Sequence, residues 1–255
     1  MNNVASVGWV GALLQPTISQ LILNGCGGCS ETLPTLPLNF DKIHDNRFEM
    51  RECVMNKSIL QPNTNYSFSD YFKLSYPTKD IVAEFGYGYK LTKLSLPRNT
   101  LTGTLERLQN TFYKKLPHIS LTSEAAKREM LVAPILLELL DYIDMDIDIE
   151  YPLYVDEQLH GNIDYFIHSS QEVVIVEAKN ADLERGFSQL AVELIAMARY
   201  RDEQDEQLYG AVTVGDMWRF GMLDRDTKRI VKDIDSFRIP LDLDELFRVF
   251  LGVLQ

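Results

Sequence analysis

The chain predicts an α/β fold, a mixed central sheet flanked by helices in the order αβββαβ, preceded by a small N-terminal α+β extension. Three observations carry this. Residues 171–179 (Gln-Glu-Val-Val-Ile-Val-Glu-Ala-Lys) are apolar on both faces until their C-terminal end, the pattern of a strand covered on both sides. Residues 181–201 then place Leu183, Phe187, Leu190, Leu194, Met197 and Ala198 at helical spacing. Further segments before and after, at 146–155, 161–168 and 208–214, run or alternate apolar at strand length.

In chain order, residues 66–72 open an aromatic-rich stretch, and 80–85 and 89–96 read as two strands joined by Gly86-Tyr87-Gly88. Residues 99–116 and 122–142 read as helices separated by Pro117. Pro134, inside the second, should kink it or begin a new turn, because its ring displaces the carbonyl four residues back. Ile147, Ile149, Tyr151 and Leu153 alternate along the first core strand. The segments 161–168 and 171–179 follow as a hairpin, then the helix 181–201, which Asn180 or Asp182 could cap. After strand 208–214, residues 217–224 and 229–235 form a hairpin through Arg225-Asp226-Thr227-Lys228, and 241–254 closes as an amphipathic helix. Trp218 reads as core or dimer packing.

Charge enters the two hairpin strands at adjacent places. Side chains alternate along a strand, so Val173, Ile175, Glu177 and Lys179 share one face. A tight hairpin through Ser169-Ser170 sets His168 opposite Gln171. Asp164 then lies opposite Ile175, on the face of Glu177 and diagonal to it, at roughly 7–8 Å between backbones. An unpaired buried carboxylate or ammonium is costly, so these groups must be paired, solvated or bound to a cation. Carboxylate oxygens with few His or Cys nearby suit Mg²⁺ or Mn²⁺ rather than zinc. A lysine beside them can orient water and stabilise charge on a phosphate, and can act as a base only where its environment lowers its pKa. Gln189 and Glu193 lie four apart on one face of the following helix.

These residues resemble the PD-(D/E)XK nuclease superfamily, the restriction-endonuclease-like fold, over residues 122–223. Asp164, Glu177, Lys179 and Gln189 stand where that family carries its Asp, its Glu-X-Lys and its helical Gln, with Ile163 in place of the Pro of the name. Glu124, in Ser123-Glu124-Ala125-Ala126-Lys127-Arg128 ahead of an apolar run, is similar to the family's upstream helical Glu. The resemblance implies a Mg²⁺- or Mn²⁺-dependent nuclease that hydrolyses nucleic acid, usually DNA. It implies catalytic roles for Asp164, Glu177, Lys179, Glu124 and Gln189. Metal would be held by Asp164, Glu177, Glu124 and the Ala178 carbonyl. One such site cuts one strand, and a homodimer would supply the second. The alternative it leaves is a catalytically inactive nuclease-fold module that binds nucleic acid or assembles a defence or repair complex.

Composition bounds the rest. At 255 residues, 45% hydrophobic and 24% charged, the chain fits one α/β domain with additions, or two small domains. No apolar run reaches the ~18–20 residues of a membrane span, and the expected setting is cytoplasmic and reducing. The net charge of −12 speaks against a large non-specific nucleic-acid surface. The distribution is uneven: residues 90–128 hold eight Lys/Arg against two acidic residues, and residues 141–157 hold seven acidic residues and no Lys or Arg. Cys26-Gly27-Gly28-Cys29 lacks the second pair or the His cluster of a zinc site, and His118, His160 and His168 are not spaced as ligands. There is no P-loop and no Gly-X-Ser-X-Gly elbow, which argues against an NTPase motor or an α/β-hydrolase.

Three regions result: a poorly structured leader at 1–54, the extension at 55–120, and the nuclease-like domain at 121–255. The leader lacks Lys and Arg before Lys42 and reads as a gene-model extension, with translation expected to begin at Met50 or Met55. Mass spectrometry of the native protein checks this, and a peptide spanning residues 36–48 would refute it.

Overall fold

The run Val174–Val176 has no polar side chain on either face, and the strand built on it, β4 (Val173–Ala178), is buried on both sides. A computed structural model describes residues 58–61, 63–169, 173–201 and 206–255. The leader and its Cys26–Cys29 pair lie outside them. One neighbour of β4 is β3 (Leu159–His168), antiparallel, and the other is β5 (Gln207–Thr213), parallel. A parallel neighbour needs a crossover, which the 18-residue helix α6 (Leu183–Tyr200) provides.

Beyond β3 lies β2 (Asp146–Asp156), at one edge of the sheet. Beyond β5 lie β6 (Met217–Asp224) and β7 (Arg229–Asp233), joined as the expected hairpin, and then β1 (Gly88–Thr92), parallel to β7. The short β8 (Phe237–Arg238) pairs with β6. The result is an open eight-stranded mixed sheet in the order β1-β7-β6-β5-β4-β3-β2. On one face α6 packs with α1 (Phe68–Lys73) and α2 (Thr78–Glu84), around Phe68, Tyr71, Phe187, Leu190 and Leu194. The other face carries α3 (Glu106–Lys115), α5 (Ala133–Leu139) and α7 (Leu243–Leu254), around Trp218, Phe220, Phe247 and Phe250. Trp218 is fully buried, edge-on to Phe250, with its indole N–H donating to the Gly215 carbonyl at 3.1 Å. No helix among the described residues is long and apolar enough to cross a membrane.

The β3–β4 register differs from the tight-hairpin expectation. His168 pairs with Val173, not Gln171, and Tyr165 pairs with Val176. The displacement is two residues, and an even displacement leaves every side chain on its face. Apolar alternation has a period of two, so it cannot separate these registers. Continuing the ladder by one residue brings Asp164 opposite Glu177 rather than diagonal to it.

Two local expectations are also corrected. Residues 80–85 are mostly helical, in α2, because Pro77 stands at the start and buries no N–H, and Ile81 and Val82 turn together into the core. Gly86 then ends the helix with φ +82°. The helix expected at 99–116 begins only at Glu106. Asn99 bonds back to the Thr100 N–H at 2.7 Å, and Gly103 takes φ +114°. Pro134 does start a new turn. Ahead of α5 the chain widens into a π turn over Arg128–Val132, so the carbonyls displaced by the proline ring find other partners.

Helix α7 comes so close to the segment before α3 that a Cβ on Gly252 would lie 2.4 Å from the Arg98 nitrogen and 2.5 Å from the Pro97 carbonyl carbon. Backbone cannot rotate away as a side chain can. Gly252→Ala is therefore expected to destabilise the protein by about 1–3 kcal/mol, read from the urea midpoint.

Candidate active site

At the C-terminal end of β4 the strand leaves the apolar part of the sheet, and Glu177 is its last side chain on the α6 face. Glu177 is 0% exposed. Asp164 on β3 is nearly as buried, and its Oδ2 accepts the Ala178 N–H at 2.9 Å. Lys179 follows on the same face, with its ammonium ion-paired to Glu177 Oε1 and lying 5.3 Å from the centre of the Phe72 ring. Helix α6 is drawn against this end because Gly186 has no Cβ; one there would meet Val212 at 2.8 Å and Lys179 at 3.0 Å. Asp182 caps the helix by accepting the N–H groups of Glu184 and Arg185, both at 3.0 Å.

Of the residues singled out from sequence, Asp164, Glu177 and Lys179 are thus brought together, and Ala178 joins them through its N–H. Glu124 is half-buried at the start of α4 (Glu124–Lys127), capped by Ser123, and its charge is felt by Lys179. Neighbouring Lys127 donates to the Asn180 carbonyl, which ties α4 to the strand exit. Gln189 is buried and reaches the site indirectly, with its amide donating to Glu193 Oε1 at 2.9 Å.

No protein-family model matches this chain, and neither does any curated protein or solved structure.

Three participants were not singled out from sequence. Glu193 on α6 is fully buried and within hydrogen-bonding reach of Glu177. Its signal was present in the sequence, four residues after Gln189 on one helical face. Arg128, from the π turn, pairs with Asp164 Oδ1 at 3.4 Å and Glu150 Oε1 at 2.6 Å, and stacks 5.2 Å over the Tyr165 ring. Glu150 itself sits at φ +55°, a left-handed conformation that side-chain-bearing residues rarely adopt. The β2–β3 pairing skips it between Ile149↔Tyr165 and Tyr151↔Ile163, opposite Asp164. No short-range sequence pattern announces either of these.

The electrostatics follow from burial. Desolvation, and then the Glu193 carboxylate, raise the Glu177 pKa well above its ordinary value, against the pull of Lys179. Burial likewise pushes Glu193 up to about 7 and raises Asp164, while the Ala178 N–H and Arg128 hold Asp164 down in part. Burial alone would lower Lys179, but Glu177, Asp164 and Glu124 outweigh it and the net shift is upward. The lysine is therefore a cation here and not a poised base.

The oxygens Glu177 Oε2, Glu193 Oε2 and Gln189 Oε1 are buried with no hydrogen-bond donor. Orphaned buried acceptors call for a donor or a cation. Among the described residues no group of three or more His, Cys, Asp or Glu is placed to hold a metal ion. Mg²⁺ does not need such a group, because it commonly takes one or two carboxylates and keeps several waters. Carboxylate oxygens such as those of Asp164 and Glu177 are the donor type such an ion takes.

In protein stripped of divalent cations, the folded state holds a proton on Glu193 that the unfolded chain releases above its ordinary range. The stabilisation is complete below about 4.5 and is lost as pH rises through about 7. Urea midpoints should accordingly be higher near pH 5 than near pH 8, and Glu193→Gln should reduce the difference, with Glu177, also raised by burial, keeping its own share.

Proposed function

We propose that this protein is a metal-dependent nuclease with a restriction-endonuclease-like core of the PD-(D/E)XK type, hydrolysing phosphodiester bonds of nucleic acid, with DNA the first substrate to test. One observation carries the reading. Asp164 and Glu177 converge from paired strands beneath one helix, Lys179 lies against Glu177, and buried carboxylate oxygens are left without donors. The order of helices and strands around β4 supports it.

Asp164 and Glu177 would hold Mg²⁺ or Mn²⁺, with the Ala178 carbonyl and Glu124 at its margin. When bound, such an ion supplies a water of lowered pKa and offsets phosphate charge. The chain's own residues then have separate tasks. The Ala178 N–H and Arg128 orient Asp164. Lys179, kept charged, stabilises negative charge developing on the phosphate. The Gln189–Glu193 pair fixes the position of Glu177 from the α6 side. Phe72 shields Lys179 from solvent and strengthens its field. Cutting a duplex would require a second such site, which a homodimer would bring.

A second reading is a nuclease-fold module that binds nucleic acid or assembles a complex without catalysis. The complete burial of Glu177 and its closure by Lys179 favour it.

With Mg²⁺ or Mn²⁺ the purified protein should cut single-stranded, duplex or branched DNA. Asp164→Asn and Lys179→Ala should each slow cleavage about 100-fold or more with unchanged far-UV circular dichroism. An intact substrate in every case, with no metal bound by the wild type, would sink the nuclease. Equal biological activity of wild type and Lys179→Ala would establish the second reading.

A further inference from the structure

The α6 face of the sheet carries a second charged pole. Glu177 pairs with Val212, and Val212 pairs with Arg219, so the three share one row and one face. Strand spacing puts Arg219 roughly 10 Å from Glu177 between backbones. Two residues on along β6, Gly221 pairs with Lys232, which places Lys232 on that face as well.

Lys232 is a buried cation, with a side chain 2% exposed and its ammonium 5.0 Å over the Phe187 ring. Its carboxylate partner is Glu184, which also takes Arg219 Nη1 at 3.0 Å. Glu184 is 71% exposed. Two inward cations therefore share one carboxylate that stands in solvent. Arg219 Nε, moreover, is buried with no acceptor, so one donor of the fork is unused. Glu184 also lines a cleft of about 240 Å³ together with Lys79, Tyr89, Arg185 and Ser188. Asp182 lies nearby and opposes an anion, but its oxygens already cap α6 and approach Arg185 at 3.5 Å.

A carboxylate across a lysine and an arginine occupies the place that a phosphate fits better. Phosphate brings more charge and three acceptor oxygens, enough to engage the idle Nε as well. An exposed glutamate, once displaced, regains water and rotamer freedom. A buried ammonium regains no water, and since burial already pulls the Lys232 pKa below its ordinary value, its charge is kept only with an anion beside it.

We propose that Arg219 and Lys232 form a phosphate-binding subsite, and that Glu184 is the internal carboxylate a ligand phosphate displaces. Resting on the nuclease reading, the ligand is a backbone phosphate of the same strand whose scissile bond lies at Asp164 and Glu177, further along one row of the sheet.

The test uses full-length protein in EDTA, so that binding is read without metal. Inorganic phosphate is titrated against chloride of equal ionic strength, with thermal melting and calorimetry as readouts. Phosphate should raise the melting temperature of the wild type. It should do so more in Glu184→Gln, where the buried lysine has lost its partner and phosphate restores one. Arg219→Gln should weaken phosphate about tenfold or more. No effect of phosphate on wild type and Glu184→Gln, or full affinity in Arg219→Gln, overturns the subsite. Competition by oligothymidylate assigns the phosphate to a nucleic-acid backbone. Binding without competition keeps the phosphate chemistry and overturns the backbone as its source. A protein that binds phosphate here but never cleaves retains the subsite and loses the nuclease. One that cleaves while its melting ignores phosphate does the reverse.

Discussion

The burial of Glu177 is the constraint on which the surrounding architecture depends. A carboxylate with no exposed surface, at the end of a strand covered on both sides, would be prohibitive alone. Lys179 compensates it along the strand, while the carboxylates of Glu193, held by Gln189 on the helix above, and of Asp164 add to the negative charge around it. Gly186 lets α6 come near enough for this to work. The compensation is incomplete, and orphaned acceptor oxygens remain. Structural cores rarely leave such groups, which marks this end of the sheet as the candidate site.

The same face of the sheet is polarised along its rows. Asp164 and Glu177 make an acidic end on β3 and β4, and Arg219 and Lys232 make a basic one on β6 and β7. Helix α6 spans both, with Gln189 and Glu193 directed at the first and Glu184 at the second. The net charge of −12 is likewise unevenly spread. Excess acid is concentrated in stretches such as residues 141–157, while the row itself is mixed.

Much of the site was legible because a strand has the simplest of periods. Whether Asp164, Glu177 and Lys179 share a face depends only on parity, and parity survived a register two residues away from the expected one. Helical spacing put Gln189 and Glu193 together in the same way. The failures occurred where local signals compete. Residues 80–85 look β-like, but Pro77, Ile81 and Val82 suit a short helix against α6 better. Residues 99–105 hold Asn99, three threonines and Gly103, all weak helix formers, and Gly103 at φ +114° with the close approach of α7 beside them keeps them irregular.

By itself the sequence determined the alternation of elements, the faces on which charge appears, and the oxygen-rich chemistry of the Asp164–Glu177–Lys179 set, all properties of spacing along one segment. Only the tertiary structure decided that Arg128 reaches Asp164, that Glu193 joins Glu177 in full burial, and that Glu184 bridges Arg219 and Lys232. The physical reason is that desolvation and pairing belong to the space between elements. A carboxylate's charge, its partner and its need for a cation are set by how closely a helix packs over a strand end, and no periodicity along the chain encodes that distance.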